Sequence, residues 1–209
     1  MRIALSVLLL AGATLQAADT LKIFGYSWDV VQGSDWKVTS DGGEPMLALL
    51  SSRGPLPGPR RPIQFAVAQQ NLRKFTLDVD VRPRQSSLML VFAYQDPAHF
   101  DYAHLSVDTG IEQPVHNGIF HVFGGERVRI STQAGRAAFA ATGRWYHVTL
   151  KYNGASGSVE ARVDGQSVPA LRAVDMSLSS GRIGVGSFDE VGDFKNLKIS
   201  GETLANGAN

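Results

Sequence analysis

The stretch from Phe75 to Arg82 alternates strictly. Phe75, Leu77, Val79 and Val81 are apolar, and Thr76, Asp78, Asp80 and Arg82 between them are polar. Successive side chains of an extended chain point to opposite faces, so this pattern buries one face and wets the other. A helix would scatter the same apolar groups around its axis. The period recurs at 35–39, 46–51, 62–68, 100–107, 119–123, 127–132, 144–153, 157–163, 181–187 and 193–199. Residues 87–94 (SLMLVFAY) are apolar on both faces, as in a central strand. Val163-Asp164-Gly165-Gln166 reads as a hairpin, because Asp and Gly tolerate the positive φ of a primed turn. Helix signals are weak: Gly135 and Gly143 limit the Ala-rich 133–141 to a turn or two, and 170–178 would form one short turn. Residues 54–62 (GPLPGPRRP) form a proline-rich loop within the domain. Many alternating strands with almost no helix predict an all-β fold, an antiparallel two-sheet jelly-roll β-sandwich of about 12–14 strands.

The first residues read as a secretory signal peptide over 1–17. Arg2 is the basic start, Ile3 to Leu10 the apolar run, and Leu15-Gln16-Ala17 puts a small residue before the cut. Residues 18–209 then form a single domain, exported to the periplasm or secreted by a bacterium. The apolar run is shorter than the roughly 20 residues a membrane span needs. No later stretch qualifies, so no membrane span is expected after signal removal. Losing Arg2 leaves 19 basic residues against 19 acidic ones, which argues against nucleic acid as a partner. With no cysteine there is no thiolate nucleophile and no cysteine-ligated zinc. Nucleophile elbow, phosphate-binding loop and dinucleotide fingerprint are also missing.

Four motifs follow in order: Gly143-Arg-Trp145-Tyr-His147-Val148, Val163-Asp164-Gly165, Gly181-Arg-Ile-Gly-Val-Gly186 and Phe194-Lys-Asn196-Leu-Lys-Ile199. With Phe75-Thr-Leu-Asp-Val-Asp-Val-Arg82 upstream, this layout resembles the concanavalin A-like (laminin-G-like) jelly rolls. Among enzymes it is similar to the bacterial 3-keto-disaccharide hydrolase-type domains. The resemblance implies the sandwich fold and brings no catalytic residues with it.

The densest chemistry lies in 94–125, which holds His99, His104, His116 and His121 with several acids and tyrosines. On strand 100–107, Ala103, Leu105 and Val107 share the core face, and Phe100, Tyr102, His104 and Ser106 share the other. If that second face lines a concave sheet, its rings and polar groups would hold a sugar. The expected contacts to carbohydrate or polysaccharide are Tyr94, Tyr102, His121 and Asn117, with Arg82 and Arg60 at the side. A first alternative is a glycoside hydrolase with Asp101, His104 and His116 as acid/base groups, since histidine titrates near neutrality. A second is a non-catalytic protein-interaction domain. Asp78 and Asp80 share one strand face, as paired carboxylates would, but charges at alternate positions also mark any wet sheet face. As cofactor, calcium would suit the oxygen-rich loop of Asp189, Glu190 and Asp193, which also reads as a solvated turn. His99-x-Asp101-x-x-His104 and His116-x4-His121 offer metal donors without a known zinc spacing.

Overall fold

The computed structural model describes residues 19–52 and 64–204. The expected signal segment and Arg60 lie outside the described residues. Among the described residues, fourteen strands pair antiparallel into two layers. Sheet I runs in the order β1 (Asp19–Ile23), β2 (Tyr26–Val30), the first half of β5 (Gln64–Pro83), β13 (Gly181–Ser187), β6 (Ser87–Asp96), β7 (His99–Ser106), β8 (Gly118–Phe123) and β9 (Glu126–Arg129). Sheet II runs in the order β12 (Gln166–Val174), β11 (Ser158–Val163), β10 (Tyr146–Asn153), the second half of β5, β14 (Gly192–Thr203), β4 (Glu44–Leu49) and β3 (Trp36–Asp41). The two segments read as separate strands at 62–68 and 75–82 thus fall on one strand, β5. Its first half pairs with β13 and its second with β10 and β14, so β5 carries the chain from one layer into the other.

Between the layers lies one apolar core. Leu77, Val79 and Val81 of β5 enter it, as their alternation requires, together with Phe92, Ala103, Leu105, Leu150 and Phe194. Each such large side chain contributes about 1.5–3 kcal/mol on leaving water. The hairpin between β11 and β12 has φ 51° at Asp164 and 75° at Gly165, the positive pair that a type I′ turn needs. That turn sends the chain straight back as β12, so the helical turn expected near 170 is strand up to Val174. Ala170 and Leu171 are both buried there, next to a register shift against β11 that breaks the alternation.

No helix forms in the Ala-rich 133–141 either. Its backbone is claimed from outside: Asn117 Oδ1 accepts from Ala138 N at 2.9 Å, and Ser106 O accepts from Phe139 N at 3.0 Å. Tyr146 Oη takes the N–H groups of Ala140 and Ala141 and donates to Ala141 O at 2.9 Å. The one α-helical turn among the described residues, α1 (Gln113–His116), precedes β8. No helix among the described residues is long and apolar enough to cross a membrane.

Candidate functional site

Strand β7 divides its side chains between two faces as its parity dictates. Phe100, Tyr102 and His104 leave the main core, but they do not line an open groove. They join a second apolar cluster on the outer side of sheet I, with Phe65, Val67, Val91, Tyr94, Phe120 and Phe188. Tyr102 stacks on Phe120 at 5.1 Å and meets Phe188 edge-on at 5.5 Å, which leaves it 0% exposed. His104 is 2% exposed and shares a 2.9 Å hydrogen bond with Ser87 Oγ. Tyr94 is buried beside Phe100, and Arg182 lies 5.2 Å from its ring; burial pushes the Tyr94 phenol upward.

The expected acid/base group of Asp101, His104 and His116 does not assemble. Asp101 points to the opposite face of β7 from His104, as odd and even positions must. His116 stands 5.3 Å from the His104 ring and pairs with Asp108 at 2.6 Å. Asn117 is fully buried and spends its amide on structure. Its Oδ1 accepts from Ser106 N and Ala138 N, and its Nδ2 donates to Ser106 Oγ and Asp108 O. The loop expected to hold calcium is likewise engaged within the protein. Asp193 faces Arg82 Nε at 2.9 Å and Arg84 Nε at 3.4 Å, so a cation would meet two positive charges there. Glu190 accepts from Ser86 Oγ and Ser87 N, and the Asp189 carbonyl from Ser52 Oγ.

Two of the expected residues do meet. Asp101 and His121 are cross-strand partners on the core side of sheet I, near its β9 edge. His121 Nδ1 lies 2.6 Å from Asp101 Oδ1 and 3.1 Å from Asp175 Oδ2, which comes from the chain leaving β12. Burial pushes the Asp101 carboxyl up to about 7, against the pull of His121, and the Asp175 charge adds to the rise. Tyr152 is pushed upward by the same burial and by both acids.

The open chemistry lies on the solvent side of sheet II, the face of Asp78 and Asp80, whose alternating charges read as paired carboxylates or as a wet sheet face. Strand pairing aligns its outward residues in rungs: Lys195, Asp80 and His147; then Lys198, Asp78, Thr149 and Arg162; then Ser200, Thr76, Lys151 and Glu160. His147 Nδ1 lies 2.8 Å from Asp80, Thr149 Oγ1 donates to Asp78 at 2.7 Å, and Asn196 Nδ2 donates to Asp80 at 2.8 Å. Trp145 stands at one end, half-buried. Its indole N–H donates to Asp41 at 3.1 Å, and Arg82 and Lys195 lie 4.5 and 4.4 Å from its ring centre. The hydrogen bond from Lys195 holds the Asp41 carboxyl below the usual carboxylate range. Arg82 is the one expected binding residue on this face among the described residues. At the other end, about 20 Å along β10 at ~3.3 Å per residue, a groove of about 900 Å³ is lined by Thr76, Lys151, Glu160, Arg172 and Ser200. The signal that could have found this face was Trp145 itself, in register with the polar row of β5.

No family model and no curated protein matches the chain. Solved structures do resemble it. The carbohydrate binding module CBM66 from Bacillus subtilis is similar at TM-score 0.60 and 18% identity, covering 83% of this chain and 94% of that one. A Bacillus subtilis protein of unknown function with a galectin-like fold gives TM-score 0.50 at 12% identity, over 82% of this chain and 88% of that one. A mutant of the GH43 protein BlXynB from Bacillus licheniformis gives TM-score 0.57 at 12% identity; this chain is covered to 88% but matches only 38% of that one. Strand order and these likenesses together show that the chain has the concanavalin A-like jelly-roll fold, an all-β antiparallel sandwich.

Proposed function

We propose that this protein is a non-catalytic carbohydrate-binding module of an exported protein, and that its ligand lies across the outer face of sheet II, from Trp145 toward the groove at Lys151. The observation that carries this reading is the placement of Trp145. Of the three tryptophans, Trp28 and Trp36 are buried and Trp145 alone reaches solvent, amid fixed donors and acceptors. Sugars offer apolar ring faces and many hydroxyls, so an aromatic platform ringed by oriented polar groups is the chemistry that recognises them. The carbohydrate binding module among the similar structures supports the ligand class. The basic start and apolar run of residues 1–17 support export. Hydrolysis by Asp101, His104 and His116 finds no support, because Asp101 and His104 point to opposite faces of β7 and His116 lies beside His104.

Affinity electrophoresis of the chain in gels carrying a panel of soluble plant and microbial polysaccharides tests the reading. Wild type is expected to be retarded by at least one polysaccharide, and Trp145→Ala to run unretarded in that gel. Equal retardation of both proteins, or no retardation of wild type by any polysaccharide, would overturn it.

A further inference from the structure

We propose that Asp101, His121 and Asp175 bind one divalent transition-metal ion of the zinc class at the rim between the two sheets, with a further coordination position facing solvent. The three donor atoms lie within 4.8 Å of one another, the only such grouping among the described residues. Ligands around tetrahedral zinc sit about 3.4 Å apart at bonds of ~2.1 Å. The separations of 2.6 and 3.1 Å from His121 Nδ1 thus need only small adjustments to admit an ion. One nitrogen and two carboxylate oxygens suit a borderline ion such as Zn²⁺. Calcium prefers six or more oxygens.

Independent features orient the donors toward one point. Asp175 uses Oδ1 to accept from Ser177 N at 2.9 Å and Ser177 Oγ at 2.6 Å. That leaves Oδ2, a buried atom with no hydrogen bond among the described residues, aimed at His121. The backbone of Asp175 is fixed as well: its N–H donates to Gly157 O at 2.9 Å, and a Cβ on Gly157 would come within 2.3 Å of Asp175 O. Asp101 is 1% exposed, so its carboxylate is committed to this site. Phe123, Val174 and Met176 leave apolar surface exposed next to the donors in sequence, and the Phe123 ring stacks on His121 at 5.9 Å. The Phe123 ring helps to hold the His121 imidazole in orientation, as supporting residues around metal ligands commonly do. The geometry gives the ion three protein ligands, which on a tetrahedral centre leaves one position for water or a ligand group.

The test uses the full chain stripped with chelator, then titrated with ZnCl₂ by calorimetry and with CoCl₂ by visible absorption. Wild type is expected to take up one equivalent of Zn²⁺, to give cobalt d–d bands, and to melt at a higher temperature with Zn²⁺. Asp175→Asn and His121→Gln are expected to weaken Zn²⁺ binding at least tenfold. His99→Gln/His116→Gln, which removes the histidines paired with Asp96 and Asp108, should leave binding unchanged. Asp175→Asn keeps the size of the side chain and the oxygen that accepts from Ser177, so this variant is expected to fold even if the His121 variant does not. Wild type that binds no stoichiometric metal, or Asp175→Asn that binds as tightly as wild type, would overturn the proposal.

Discussion

Replacing Trp145 with alanine separates what the ring does for the fold from what it does for a ligand. In the free protein the change removes two cation–ring contacts, at 4.5 and 4.4 Å, each worth about 0.5–1 kcal/mol at an exposed site. It also removes the hydrogen bond to Asp41. Lys195 keeps Asp41 at 2.9 Å and Arg82 keeps Asp193 at 2.9 Å, so neither cation is stranded. The net cost to folding is therefore on the order of 1–2 kcal/mol, or roughly 2–8 °C in Tm for a domain of this size. A sugar covering about a third of the ~200 Å² of an indole ring at ~25 cal/mol/Å² gains roughly 1.7 kcal/mol, which is about 15–20-fold in Kd. Calorimetry at 25 °C with the polysaccharide that retards wild type reads the second effect alone, since both proteins are folded there. Trp145→Phe should recover most of the affinity while still lacking the bond to Asp41. A Kd for Trp145→Ala within twofold of wild type would refute the reasoning, as would a loss of affinity that appears only with a collapse in Tm.

Other substitutions probe the surrounding account. His104→Ala should lower stability by about 1–3 kcal/mol, because it deprives the buried Ser87 hydroxyl of a partner. Polysaccharide binding should stay intact, and thermal melts with affinity gels check both. Phe92→Ala should cost about 3–5 kcal/mol in urea unfolding, because its ring is buried against Tyr152 at 5.1 Å. The depressed Asp41 carboxyl favours the folded state above its ordinary value of 3.8, and that contribution is lost as pH falls through the folded midpoint. Lys195→Ala should move the Asp41 midpoint upward in a carboxyl NMR titration; an unmoved midpoint would show that Lys195 is not its cause.

Period-two patterning made the layers legible. The apolar row of Phe75, Leu77, Val79 and Val81 lies in the core, and Val163-Asp164-Gly165-Gln166 turns where its φ preferences demand. The bulge that buries both Ala170 and Leu171 hid β12, because alternation is the only local sign of a strand there. Parity also placed Tyr102 and His104 together on the face opposite Leu105. Alternation says which residues share a face and is silent on what covers it. Phe65, Phe120 and Phe188 come from three other segments and turn that face into a second core. The pairing of Asp101 with His121 depends on the register between β7 and β8, and Asp175 reaches them from the opposite sheet. Such convergence across layers leaves no spacing to read. Trp145 escaped notice as a platform for the opposite reason: its surroundings are the ordinary polar row of a wet face, and only Asp41, Arg82 and Lys195, brought together by strand order, make it distinct.

The most direct measurement is the indole region of a ¹H–¹⁵N NMR spectrum, recorded while a polysaccharide identified in the affinity gels is titrated in. Trp28 and Trp36 are buried in the core and Trp145 is not, so three peaks report on two environments. Saturable movement of the Trp145 peak, with Trp28 and Trp36 still, is the expected result. A still Trp145 peak, with shifts confined to His104, His116 and their neighbours on sheet I, would place the ligand on the wrong layer for this account.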